Sequence, residues 1–275
     1  MDGGPVSALA TRWMRGLCLI VMTVCVIAGT GRAEAYSGAV ATCWRAPSSG
    51  VVIDGVLSEW NTSSAIVIAS KTQAVRDANQ WTGPEDLSAE IYLMWDEANL
   101  YLAAQVRDDT PFMYREGFPP ELADSIGLYF STNPSADPAR AAYDSSDFRA
   151  VLIVDNYYFN TGIDREMVAD KKGIETAGDG GDEQVLKGYE CAVTEIKGGY
   201  VFEAKIPLSN FANDRLPVLK PEDGVSIGFD LDFNDLDFPC PGVATTVMAW
   251  TGDMDIRTSP SEWGSLVFKT GGTTN

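Results

Sequence analysis

Apolar residues recur at every second position along most of this chain. In "SAEIYLMWD" Ala89, Ile91, Leu93 and Trp95 fall on one side of an extended strand, and after the turn "DEAN" Leu100, Leu102, Ala104 and Val106 repeat the pattern. Successive side chains of a strand point to opposite faces, so this spacing predicts a hairpin with one face buried. The same alternation predicts strands at Ser125 to Ser131, Phe148 to Asp155, Tyr189 to Ile196, Tyr200 to Ile206, Val225 to Asn234, Thr245 to Trp250 and Ser265 to Lys269. "KGG" closes a second hairpin, its glycines supplying the positive φ of a tight turn. Many short strands without long helical periodicity predict an all-β chain folded as an antiparallel, jelly-roll-like β-sandwich.

Three interruptions break the alternation: 110–122, 131–146 and 173–188, each rich in Pro, Gly or polar residues. Inserts of such length in a compact β-domain commonly carry function. The densest run of oxygen ligands is "FDLDFNDLDF" at 229–238. Counted from Asp230 as an EF-hand, the sixth and twelfth positions hold Asp235 and Pro241 where Gly and Glu are required, so that motif fails. Read as a strand, Val225, Ile227, Phe229, Leu231 and Phe233 face a core, and Asp230, Asp232 and Asn234 line the other face.

Outside this periodicity, residues 1–35 carry Arg12 and Arg15, an apolar run from Leu17 to Ala28, and Ala33-Glu34-Ala35. That layout predicts a secretory signal peptide cleaved after Ala35, and the run is shorter than the ~20 apolar residues of a membrane span. Residues 36–270 then form one domain with a polar tail at 271–275, in a secreted or periplasmic setting without a membrane span. The mature chain keeps 17 basic and 37 acidic residues, a net charge of −20. Nucleic acid needs a basic footprint and is excluded as a partner, whereas an acidic surface suits divalent cations.

Cys43, Cys191 and Cys240 remain after cleavage, enough for one disulfide and one free thiol in an oxidising compartment. Their wide spacing and the absence of histidine exclude an ordinary zinc site, Ser-His-Asp or Cys-His catalysis and His-ligated haem. Acidic pairs are too plentiful to mark a glycosidase centre. The expectation is therefore a non-catalytic protein.

Five ordered segments, "IDGVLSEW" (53–60), "IYLMWDEANLYLAAQVRDD" (91–109), "DSIGLYFSTNP" (124–134), "GGYVFEAKIPL" (198–208) and "IGFDLDFND" (227–235), followed by "WTGD" and "SPSEWGSL", resemble the family 9 carbohydrate-binding modules. The resemblance implies a β-sandwich that binds poly- or oligosaccharide, plant-type β-glycans such as xylan or cellulose included, and that can hold structural calcium. It also implies a secreted glycosidase as partner, because 36–275 are too few residues to hold both the module and such an enzyme.

It further implies two tryptophans that clamp the sugar. Their positions fall at or near Glu121 and Arg257, and an acidic sugar-contacting position falls on Gly127. Asp147 and Arg149, alternating outward beside Phe148, are candidates to grip vicinal hydroxyls or else a surface ion pair. Tyr114 and Phe118 stand where they could replace a clamp tryptophan or fold back onto the sandwich, and Tyr157, Tyr158 and Phe159 form a third aromatic cluster with the same two readings. Trp81, in "ANQWTGPED", reads either as a stacking platform or as a packed loop anchor. Asn234 and Asp235 match the family's "ND" at a strand end and are the calcium candidates. With the clamp replaced, the alternative to sugar binding is an envelope scaffold or protein-interaction sandwich; the family's structural kinship to haem-binding sandwich domains implies a third, a haem held by Met248 or Met254 with a lysine, though scattered methionines are commonly packing residues.

Overall fold

A computed structural model describes residue 1 and residues 37–111, 124–154, 173–176, 184–212, 217–237 and 245–271. The described strands are β1 (Val40–Arg45), β2 (Ile66–Ile68), β3 (Ala74–Arg76), β4 (Leu87–Trp95), β5 (Asn99–Asp108), β6 (Ser125–Ser131), β7 (Asp147–Ile153), β8 (Gly173–Thr176), β9 (Gln184–Val185), β10 (Glu190–Ile196), β11 (Gly199–Pro207), β12 (Ser226–Asp235), β13 (Thr246–Ala249) and β14 (Gly264–Lys269). Only short 3-10 turns accompany them among the described residues. The insert at 173–188 therefore contains two short strands that the alternation did not reveal.

The hydrogen-bonded order is β10-β11-β5-β4-β1-β14-β12-β6-β7-β8-β9, with β2 on β4 and β13 between β12 and β3. This path folds over on itself as a sandwich. Leu93, Leu102 and Phe202 from one half pack in the same apolar cluster as Phe130, Phe229 and Leu231 from the other. Phe211 closes it, with its ring 4.6 Å from that of Phe130 and 5.4 Å from that of Phe148. The alternation of β4, β5, β11 and β12 puts these residues inward, as their periodicity requires.

One strand departs from the antiparallel expectation. β1 pairs in parallel with both β4 and β14, joining the two halves of the sandwich. Alternation reports which face a residue lies on but is the same in either chain direction, so it carries no sign of a parallel neighbour.

A second apolar cluster, Trp60, Tyr92, Met94, Tyr101 and Ala103, covers the outer face of β4 and β5. The segment carrying "IDG" lies over it. There the backbone N–H groups of Asp54 and Gly55 both donate to Glu203 Oε2 at 2.9 Å. Gly55 has φ +81°, and a Cβ there would lie 2.1 Å from Thr194 Oγ1, so the segment crosses β10 only because this position is glycine.

Cys43 is fully buried on β1, and Cys191 lies on β10. Three strands separate these two, a spacing of about 19 Å, far beyond the ~7 Å Cα limit of a disulfide. No disulfide joins them. Cys240, and with it any pairing it makes, lies outside the described residues.

Candidate functional site

The outward face of β12 carries Asp230, Asp232 and Asn234, as the alternation requires, but it is not open to solvent. Asp230 and Asp232 are fully buried, and Asn234 is nearly so. The cover comes from the segment after β13: Ile256 and Trp263 pack on Tyr129 and Ala249, with Val75 and Tyr143 alongside. Trp263 Nε1 and the Tyr143 hydroxyl both donate to the Ile256 carbonyl, at 2.8 and 3.0 Å.

Within that cover the polar groups form a connected set. Register places Asp232 opposite Gly127 and Tyr129 opposite Asp230 on β6, and Arg149 opposite Tyr129 on β7. Asp232 Oδ2 accepts from the Tyr129 hydroxyl at 2.9 Å and from Arg257 Nε at 2.9 Å, and Arg257 Nη2 lies 2.7 Å away. Arg257 Nη2 also donates to Asn234 Oδ1 at 2.9 Å, while Asn234 Nδ2 donates to Ser125 Oγ. Asp232 Oδ1, by contrast, is buried with no hydrogen-bond partner among the described residues. It lies where a side chain at position 127 would begin: a Cβ on Gly127 would stand 2.3 Å from it.

Burial opposes the charge on Arg257, but the Asp232 carboxylate more than offsets this, and the guanidinium is held protonated more firmly than usual. Burial pushes the Tyr129 hydroxyl well up, and the neighbouring Asp232 charge adds to it. Burial also lifts Asp230 to about 7, against hydrogen bonds from Thr251 Oγ1 and the Leu231 N–H. The face thus offers a carboxylate oxygen in want of a donor beside guanidinium and amide groups. That combination exchanges paired hydrogen bonds with adjacent hydroxyls. The Arg257 side chain, 15% exposed against 1% for Asp232, is the part of the set that a ligand meets first.

The sequence candidates separate on this structure. Arg149 and Arg257 come together on the face. Asp147 faces the same side, but both of its oxygens are already engaged, by the Arg140 guanidinium and by the Asp144 N–H, so it is a structural ion pair rather than an open hydroxyl grip. Trp81 is not a stacking platform: it packs in the main core and donates from Nε1 to the Leu87 carbonyl at 2.8 Å. Trp60, Trp95 and Trp263 are buried, and Met248 lies in the core. Tyr114, Phe118, Glu121 and the cluster Tyr157–Phe159 lie outside the described residues.

A separate group of carboxylates gathers at the end of β12. Asp108, Asp124 and Asp235 bring one oxygen each within 4.8 Å of one another, and so do Asp86, Asp235 and Asp237. Both oxygens of Asp235, itself 3% exposed, lack a partner among the described residues. Burial, reinforced by the charge of Asp108, pushes Asp235 up to about 9, and burial lifts Asp108 to about 7. Asn234 does not belong to this group, because alternation turns its amide to Arg257 and Ser125 on the opposite face.

Sequence reasoning missed Tyr129 and Asp232 in the first set and Asp86, Asp108, Asp124 and Asp237 in the second. The available signal was that Asp108, Asp124 and Asp235 each stand at the end of a predicted strand, where antiparallel pairing brings strand ends together.

The profile of the carbohydrate family 9 binding domain-like family matches residues 53–270. The chain belongs to this family. The family 9 chain is 25% identical over 220 residues to endo-1,4-beta-xylanase A of Thermotoga neapolitana, covering 78% of the chain and 17% of the xylanase. It is 28% identical over 170 residues to endo-1,4-beta-xylanase C of Paenibacillus barcinonensis, covering 62% of the chain and 12% of that enzyme. It thus spans less than a fifth of the length of the curated relatives it matches. Among solved structures it is similar to a family 9 carbohydrate-binding module from Caldicellulosiruptor kristjanssonii in complex with cellotriose, at 21% identity and a TM-score of 0.57, covering 85% of this chain and 95% of that one. The glucose complex from the same organism gives 22% identity and a TM-score of 0.54. This family 9 fold is one of binding modules, and no helix among the described residues is long and apolar enough to cross a membrane.

Proposed function

We propose that the chain is a non-catalytic carbohydrate-binding module of an exported protein, recognising poly- or oligosaccharide of the β-glycan type on the face formed by β12, β6 and β7. The observation that carries this reading is Asp232 Oδ1, a buried acceptor without a partner among the described residues, set over Gly127 beside Arg149, Asn234 and Arg257. A sugar hydroxyl is the neutral donor that completes such a set, since leaving the acceptor unmatched costs about 1–3 kcal/mol. The relatives support the glycan class: xylanases contain the matching region, and the similar modules were solved with cellotriose and glucose. A secreted glycosidase would act beside the module rather than within it.

Structural calcium accompanies this reading. Calcium takes oxygen ligands at about 2.3–2.6 Å, so ligand oxygens across one ion stand about 4.8 Å apart. The Asp108, Asp124 and Asp235 triad fits that span, and Asp235 has two buried oxygens awaiting a partner.

The test is titration calorimetry with cello- and xylo-oligosaccharides, together with depletion onto insoluble polysaccharide. Binding by the wild-type protein and its loss in a folded Asp232→Ala variant are expected. No binding across a broad glycan panel would sink the proposal. A second reading, a protein-interaction sandwich, is favoured by one observation: Arg257 stands where the family clamp aromatic is implied and ion-pairs with Asp232 across the face. It predicts retention of a protein partner without glycan affinity.

A further inference from the structure

Asn61, Thr62 and Ser63 follow the short 3-10 turn Leu57–Glu59 and precede β2. They spell Asn-x-Ser with a middle residue other than proline, the acceptor sequence for an N-linked glycan on an exported protein. A second Asn-x-Ser spacing, at Asn133, is blocked by Pro134.

The local fold displays the triplet. Trp60 is buried in the cluster over β4 and β5 and anchors the chain there. Asn61 behind it is half-buried and Thr62 and Ser63 are exposed, in neither helix nor strand. Ser63 donates twice to Asn61 Oδ1, from its N–H at 3.1 Å and from its hydroxyl at 2.6 Å. These bonds close an Asx turn. Two donors on the amide oxygen polarise the amide and make its N–H groups more acidic. They also leave the other edge of the amide free, since Nδ2 makes no hydrogen bond among the described residues. The serine hydroxyl that the acceptor sequence requires is thus already seated on the amide it serves.

The surroundings give such a modification something to do. Val52, Val56 and Val67 are exposed large apolar side chains on either side of the triplet in sequence. Val52 is held near it, because its N–H donates to Glu59 Oε1 at 2.9 Å. A hydrophilic chain at Asn61 would solvate this apolar surface.

Resting on the exported reading above, we propose that Asn61 is an N-glycan acceptor, modified during export by a lipid-diphosphate-linked oligosaccharide. Asn61 Nδ2 forms the new bond to the anomeric carbon of the sugar. The anomeric C–O bond breaks, its electron pair leaves on the lipid diphosphate, and one amide proton passes to a base of the transferase. The site lies beside Trp60, over the outer face of β4 and β5. The face formed by β12, β6 and β7 is left clear.

The test expresses the full chain with an asparagine oligosaccharyltransferase in its export pathway and measures the mass of the intact protein and of its tryptic peptide 46–71, in which Asn61 is the single asparagine. A glycan on that peptide is expected in the wild type and in Ser63→Thr, and its loss in Asn61→Gln and Ser63→Ala. Amidase release of the glycan is expected to leave aspartate at position 61. An unmodified Asn61 in a chain that has lost residues 1–35, beside a glycosylated control acceptor, would overturn the proposal. So would a sugar that survives in Asn61→Gln, which places it on a hydroxyl instead. Retention of residues 1–35 would count against the export reading alone. The purified chain is then offered the transferase and its lipid-linked donor directly, and an Asn61 left unmodified there would overturn the acceptor assignment as well.

Discussion

Gly127 stands on β6 opposite Asp232, and the two act as one unit: the missing side chain of the first makes room for the carboxylate of the second. A methyl group added there must push Asp232 Oδ1 off its 2.3 Å approach and strain its contact with Tyr129 and Arg257. Gly127→Ala is expected to cost about 1–3 kcal/mol of stability, as overpacking does, and to abolish glycan binding; denaturant melts and calorimetry check the two effects. Unchanged binding would show that Asp232 does not contact the ligand. At this scale the sequence was informative about Arg149, through the alternation around Phe148, and about Arg257, through the family clamp position that falls on it. It was silent about Asp232, because a polar alternation tells which face a residue takes but not whether a distant loop covers that face. The cover here is residues 254–263, brought over β12 only by the fold.

Among the elements, the strands with uninterrupted alternation, β4, β5, β11 and β12, were legible nearly to their ends, whereas β2, β3, β8 and β9 are too short to show a period. The direction of β1 was illegible for the reason given by its symmetry of pattern, and the tie between the 54–55 segment and β11 was illegible because its partners lie nearly 150 positions apart. That tie rests on Glu203, whose carboxyl burial pushes its pKa up even as it accepts from Gly55 and Asp54. Glu203→Ala leaves two backbone N–H groups without their acceptor, a loss of about 1–3 kcal/mol for each buried group that water does not reach. The expected result is a lowered unfolding midpoint and early proteolytic cleavage near residues 46–60, while Glu203→Gln keeps one acceptor and loses less. Equal stability of the alanine variant and the wild type would remove the segment's anchoring role.

For the molecule as a whole, the upward shifts share one sign. Asp230 and Asp108 titrate at about 7 and Asp235 at about 9, all above the ordinary carboxylate value. The folded chain therefore holds protons that the unfolded chain has already released above about pH 4. In chelator these three groups make stability fall as pH rises from about 4 through 7 and toward 9. Cations in place of the protons on Asp108 and Asp235 remove most of that decline and leave the share due to Asp230. At 100 times its dissociation constant, a calcium ion bound only by the folded state adds about 2.7 kcal/mol. Melting curves from pH 5 to 9, with chelator and with calcium, measure both effects; parallel curves with no gap would refute the cation reading.

The parallel contact of β1 with β14 carries a mechanical consequence. Val40 stands opposite Ser265 and Trp44 opposite Lys269, so the strand through which the chain enters the sandwich and the strand through which it leaves lie side by side and point the same way. Tension applied at the start of one and the end of the other slides them lengthwise and strains all their rungs together, where a hairpin would be unzipped rung by rung. The sandwich is thereby built to resist force applied along its entry and exit strands.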